Sequence, residues 1–217
     1  MDVLGLGGRS SLNEWLEAIG AAGPTPAGGS TAAIAGALSA ALVKMVAGMT
    51  AQREKYAAVH AEAGKVRERA EALQQALVAL AVRDVAAFTG FARALELPRG
   101  TPEEREARER AKRAALLEGA DVQLELLGSL AEVAELSGAT LHSGLASAAG
   151  DAATAGFLAA GAARSAYWAV RSNLEGRGGE PEIGARLERA VGLLKRVEAA
   201  ERRVGEILRE RLFTPPR

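Results

Sequence analysis

The stretch Pro24–Thr50, PTPAGGSTAAIAGALSAALVKMVAGMT, decides how the rest of the chain is read. Pro24 and Pro26 fix φ and cannot continue a preceding helix, Gly28 and Gly29 open backbone angles closed to other residues, and Ser30 is a natural N-cap. A turn at Gly28-Gly29 is therefore expected to lead into a helix from about Ser30 to Thr50. Such a start presents free N–H groups at the positive end of a helix dipole, so it either holds an anion or is a plain turn and cap. Gly36, Ala37, Ala40, Ala41, Ala47 and Gly48 recur at helical spacings and form a stripe of tiny side chains that lets another backbone approach closely. Gly36 and Gly48 each cost about 1 kcal/mol of helix propensity. Close packing would offset that cost, which places this helix at the centre of the fold. From Ala27 to Val43 the run is uncharged, but its large apolar side chains are only Ile34, Leu38, Leu42 and Val43, and Lys44 interrupts it. The expectation is a buried soluble helix with no membrane span.

On the N-terminal side, Ser11-x-x-Glu14 reads as a capping box opening a short helix to about Ala21, with Leu12, Trp15, Leu16 and Ile19 on one face. On the C-terminal side, Gln52 to Tyr56 is expected to bend the path before a helix from about Ala58 to Leu97. Pro98-Arg99-Gly100 is a turn, and Thr101-Pro102-Glu103-Glu104 combines an N-cap, an N1 proline and a capping glutamate. The helix that starts there is expected to reach about Leu136, with Ser137-Gly138 as its boundary. A second small-residue stripe follows, Gly144, Ala148, Ala152, Ala155, Gly156, Ala159 and Ala163, and is expected to pack on the first. This segment runs to Asn173-Leu174, before a loop at Gly176-Arg177-Gly178-Gly179. A last helix, Pro181 to about Leu212, carries Leu187, Val191, Leu194, Val204 and Leu208 on a narrow seam that closes the core or meets a second subunit. The fold class is all-α: one domain over residues 1–217, an antiparallel bundle of five to six long helices.

Composition narrows the function. Lys plus Arg equals Asp plus Glu at 27 each, so no basic field attracts nucleic acid or an anionic membrane. With no cysteine and only His60 and His142, disulfides, thiolate chemistry and a zinc or redox-metal site drop out, while a carboxylate-only magnesium site stays open. The N-terminus MDVLGLGGRS lacks the pattern of a signal peptide, and a cytoplasmic location is expected. Asp151 is the lone formal charge between Ala139 and Ala163. Burying a carboxylate is costly unless it is paired, so Asp151 either lines a polar cleft or bridges helices. Asp84, between Leu80 and Phe88, poses the same question. His142 reads as a structural or exposed histidine or as a proton carrier, and His60 as surface.

Pro-x-Pro-x-Gly-Gly-Ser running into a small-residue helix that ends in Met45-Val46-x-x-Met49-Thr50 resembles the cyclodeaminase/cyclohydrolase family of folate enzymes. The family comprises the cyclodeaminase part of formiminotransferase-cyclodeaminase and stand-alone methenyltetrahydrofolate cyclohydrolases. Asp84-Val85-Ala86-Ala87-Phe88 resembles its Asp-x-x-Ala-Phe helix, Leu97-Pro98 and Thr101–Glu104 its next turn, and Asp151 and Asn173-Leu174 its later anchors. The resemblance runs from about residue 24 to residue 174. It implies a reduced folate carrying a one-carbon unit as substrate, with no metal and no dissociable cofactor. It also implies Asp84 as general base or cation stabiliser, Asp151 as second carboxylate or pterin hydrogen-bonder, and Asn173 as a substrate-orienting residue. Gly28, Gly29 and Ser30 would hold an anionic part such as the glutamate tail, and Lys44, Arg53 and Lys55 either support that tail or are exposed surface charge. A homodimer with the cleft near its interface is implied as well. The pattern departs at Ala27, where the family has a third glycine, at Gly150, where it often has serine, and at Val82, Leu145 and Ala169, where it carries polar residues. The alternative reading is a relative that kept the scaffold for ligand binding or helix pairing without turnover.

Overall fold

Local capping chemistry sets two of the helix starts in the computed structural model, which describes residues 6–176 and 180–213. The Ser11 hydroxyl accepts the Glu14 N–H at 3.2 Å while the Glu14 carboxylate takes the Ser11 N–H, opening α1 (Leu12–Gly20). Thr101 and Glu104 repeat the arrangement, with Pro102 in the first helical position, and open α4 (Pro102–Ser143). Between them lie α2 (Gly28–Ala51), a 3₁₀ segment (Glu54–Val59) where the bend was expected, and α3 (His60–Glu96). A short 3₁₀ turn (Ala146–Ala148), α5 (Ala149–Asn173) and α6 (Pro181–Phe213) complete an all-helical bundle without a strand among the described residues.

Two boundaries differ from the sequence reading. Helix α2 starts at Gly28, and its N-cap is Ala27 rather than Ser30, because the Ser30 hydroxyl is committed elsewhere: it bonds to Asp84 from within the first turn. Helix α4 does not stop at Ser137-Gly138. Those residues are small because α5 and α6 cross there: Ser137 Oγ donates to the Ala152 carbonyl at 2.6 Å, and Gly138 faces Val204. The chain turns at Gly144 instead, and the next two N–H groups are taken by Thr50 Oγ1 and the Tyr56 hydroxyl. Of the loop expected at Gly176–Gly179, Gly176 has the positive φ (74°) that favours glycine, and 177–179 lie outside the described residues.

Helix α2 lies between α3 and α5, with α4 packed behind them and α6 closing over α4 and α5. The two small-residue helices do pack together, antiparallel, joined by a hydrogen bond from Ser39 Oγ to the Ala155 carbonyl at 2.5 Å. The glycines themselves serve other neighbours: Gly36 receives Leu130 and Leu77, and Gly156 receives Ser137 and Val204. The main core gathers Val43, Leu77, Leu124, Leu127 and Leu130, and a smaller cluster around Val46, Leu141 and Ile207 fills the far end. On α6 the buried seam is Ile183, Ala190, Leu193, Val197, Val204 and Ile207, and the leucines expected there, such as Leu187 and Leu194, are half-buried flanks. Helix α6 is rotated from the expected setting, so that Ala190, Leu193 and Ile207 face α4 and α5 in place of their neighbours Val191, Leu194 and Leu208.

The stretches Gly28–Ala51 and Glu54–Glu96 are long and apolar enough to cross a membrane, and half of the most apolar window of the first is buried in the bundle. Leu38 and Met45 of α2 and Phe157 and Trp168 of α5 remain exposed on the outward side.

Candidate active site

One cleft of about 260 Å³ opens where the start of α2, the second half of α3, the middle of α4 and the end of α5 converge. Helix α3 brings Asp84, Ala87, Phe88 and Phe91 to it, a single face at helical spacing. Helix α4 contributes Ala115, Leu116, Gly119 and Gln123, and α5 contributes Ala169, Ser172 and Asn173. The phenylalanines and Leu116 give an apolar wall suited to a flat ring. Among the described residues, Asp84 is the only ionisable side chain lining this cleft.

Both oxygens of Asp84 are fixed. Ser30 Oγ donates to Oδ2 at 2.7 Å, and Gln123 Nε2 donates to Oδ1 at 2.6 Å. Its sequence neighbour Arg83 is turned outward to Glu125 and Glu118 of α4, and the Glu125 hydrogen bond raises its pKa above the usual arginine value. Asp84 makes no ion pair among the described residues, so its charge is stabilised by neutral donors and by the start of α2. Gly29 makes this possible. A Cβ there would lie 2.7 Å from Asp84 Cγ and closer still to Oδ1 and to Gln123 Nε2, so only glycine admits the pair against the helix.

At Gly28-Gly29-Ser30 the chain's own Asp84 carboxylate takes the Ser30 hydroxyl and lies against Gly29, but it does not bond to the backbone N–H groups. The first backbone bond of α2 is Thr31 N–H to Ala27 O, and the N–H groups of Gly28, Gly29 and Ser30 have no acceptor among the described residues. Ser30 is fully buried, and Gly28 lies against Ser165 of α5, beside the cleft rather than in its lining. Asn173 reaches the cleft at the last turn of α5, with its Nδ2 close over Gly119 and no hydrogen-bond partner among the described residues.

Asp151 does not join Asp84 within one chain. It is exposed in the first turn of α5, about 33 Å along the axis from Asn173 at 1.5 Å per residue. The burial cost that singled it out does not arise, because it sits on the outward strip of an apolar helix where the helix dipole favours a carboxylate. Lys44 pairs with Glu71 on the α2–α3 surface, away from the cleft, and His142 is exposed. Of the three positions where polar residues were missed, only Ala169 lines the cleft. Val82 faces a separate groove with Gly8 and Val78, and Leu145 packs in the far cluster. Gln123 is the site residue that sequence reasoning passed over. Its signal was a polar side chain on the interior stripe of α4, in register with Ala120, Leu127 and Leu130.

Residues 11–188 match the family model described as Formiminotransferase-cyclodeaminase. A methenyltetrahydrofolate cyclohydrolase of Methylorubrum extorquens is 32% identical over 207 residues, covering 95% of this chain and 100% of that protein. The formimidoyltransferase-cyclodeaminase of Mus musculus is 32% identical over 124 residues, covering 57% of this chain but 23% of that longer protein. In three dimensions the chain superposes on the crystal structure of formiminotetrahydrofolate cyclodeaminase from Thermotoga maritima with a TM-score of 0.83 at 26% identity, covering 92% of this chain and 96% of that one. The chain belongs to the formiminotransferase-cyclodeaminase family.

Proposed function

We propose that this chain is an enzyme of folate one-carbon metabolism that hydrolyses 5,10-methenyltetrahydrofolate to 10-formyltetrahydrofolate in the Asp84 cleft. The observation that carries the reading is the end-to-end match to a cyclohydrolase, with the cleft's single carboxylate held ready by Ser30 and Gln123. The methenyl carbon is cationic, and a carboxylate without a competing cation is the natural partner for such a centre. Asn173, with a free side-chain amide at the rim, orients the substrate, and Phe88 and Phe91 supply a stacking wall. Cyclodeamination of a formimino adduct is the second reading, favoured by the superposition on a cyclodeaminase. Both reactions need proton transfer beside a charged carbon. The rival reading, a scaffold without turnover, keeps Ala169 as its support.

Purified protein should accelerate the loss of methenyltetrahydrofolate absorbance at neutral pH above the spontaneous rate. No acceleration there, together with ammonia release from formiminotetrahydrofolate, would move the assignment to the cyclodeaminase. Silence in both assays would favour the scaffold reading.

The proposal includes a cytoplasmic homodimer. Support for the assembly is the exposed apolar set on α2 and α5, which includes Leu38 and Phe157, close in sequence to the hydrogen-bonded pair Ser39 and Ala155. Sedimentation velocity should give twice the 22.4 kDa chain mass, and Leu38→Glu with Phe157→Glu should return the monomer.

A further inference from the structure

Asp84, the only ionisable group of the cleft among the described residues, is held by partners that can reverse the direction of their hydrogen bonds. Arginine and lysine can only donate, whereas a hydroxyl and a primary amide both donate and accept. Asp84 is held by one of each, Ser30 Oγ and Gln123 Nε2. Charged groups on the packed elements are engaged elsewhere: Arg83 with Glu125 and Glu118, and Asp121 of α4 with Arg186 of α6. Helices α2 and α5 bring no charge to the lining. Gln123 is 1% exposed, and its Oε1 is the one buried side-chain nitrogen or oxygen without a hydrogen-bond partner among the described residues. An empty buried acceptor is costly, and this one belongs to the amide that grips the carboxylate.

We propose that Asp84 is built to change protonation state during turnover, and that Gln123 is the positioning residue that follows the change. While Asp84 is ionised, Nε2–H donates to Oδ1. Once Asp84 carries a proton, the amide turns over and Oε1 accepts from the carboxylic O–H, and the Ser30 hydroxyl is free to reverse likewise. A permanent counter-charge would be held by lysine or arginine, whose donors never reverse, and among the described residues neither lines the cleft. The inference rests on the cyclohydrolase reading for its chemistry and goes beyond it in assigning Gln123. Water oxygen bonds to the methenyl carbon, the C=N pair withdraws to nitrogen, and the water proton passes to Asp84, leaving a neutral carbinolamine. The C–N5 bond then breaks with its electron pair on N5, which takes the proton back from Asp84, while the hydroxyl releases its proton to solvent as the formyl C=O forms. Asp84 ends ionised, and one proton has been released for each cation and water consumed.

Two measurements on the full chain test this. In labelled wild-type protein, the Gln123 side-chain ¹⁵N–H signals should move with pH at the same midpoint as the Asp84 carboxyl ¹³C signal, identified by its absence in Asp84→Asn. Gln123 signals that stay flat through the Asp84 titration overturn the proposal, whatever reaction the protein catalyses. In kinetics, Gln123→Met should lower kcat by roughly 10²-fold with KM nearly unchanged, and should raise the solvent deuterium isotope effect on kcat. Unchanged kcat, or a loss with no change in the isotope effect, overturns it as well. A wild-type protein inactive on both folates refutes the reaction reading alone, because the titration still decides the coupling.

Discussion

Gly29 carries more of the site than its lack of a side chain suggests, because the Asp84–Gln123 hydrogen bond lies directly on its Cα. Gly29→Ala must push that pair apart, and a displacement of about 1 Å at a reacting group is worth on the order of 10²-fold in rate. The expected outcome is a loss of kcat of that order with the helical circular dichroism intact. Asp84→Asn keeps the shape and removes the proton acceptor, so the rate of methenyl loss should fall by about 10²- to 10⁴-fold. A variant within tenfold of wild type would place the chemistry elsewhere. Asp84 was legible in the sequence because a charge on an apolar helix face demands a partner. The same logic misplaced Asp151, since it depends on which face of α5 points outward, and that is set by packing. Gln123 escaped notice because an uncharged amide among leucines raises no alarm until its neighbour across the bundle is known.

The helices test packing against propensity at their glycines. A Cβ on Gly36 would come within 2.5 Å of Leu130 and 3.2 Å of Leu77, both parts of the packed core. Gly36→Ala should therefore destabilise by about 1–3 kcal/mol despite alanine's better propensity. Gly64 of α3 has open space where the Cβ would go, and Gly64→Ala should stabilise by about 0.5–1 kcal/mol. Urea unfolding midpoints of the two variants should move in opposite directions, and a shared direction would contradict the packing assignment. At the start of α4, Thr101→Ala should cost about 1 kcal/mol through loss of the cap. The caps of α1 and α4 were readable because they depend on four consecutive residues. Ser137-Gly138 was misread as a boundary because close helix crossing and helix termination both select small residues.

Arginine–carboxylate pairs tie the bundle to α4 from both sides: Arg69 to Glu132 and Arg83 to Glu125 from α3, Arg186 to Asp121 and Arg196 to Glu135 from α6. The hydrogen bond from Arg69 lowers the Glu132 pKa, so its contribution to stability is present above the unfolded value near ~4.3 and is lost as pH falls through the lower folded value. Partial exposure keeps the effect small. Urea midpoints should fall between pH 6 and pH 3, and Glu132→Gln should flatten part of that fall; an identical slope in the variant would remove Glu132 from the account. The all-helical architecture and helix number were legible from periodicity and punctuation alone. Which charges meet was not, because pairing depends on the rotation of each helix about its axis, and the small-residue surfaces set that rotation.

The chain's two tryptophans divide its fluorescence between two questions. Trp15 is 3% exposed beneath the main core, and Trp168 is 65% exposed on α5, one turn before the cleft residues Ser172 and Asn173. Red, water-quenched emission should come from Trp168 and blue emission from Trp15. A ligand settling against the end of α5 would alter the first while leaving the second, and denaturant would shift the second. Trp168→Phe would silence the binding signal and leave the unfolding curve readable, so occupancy of the cleft and integrity of the bundle can be followed in one cuvette without a label.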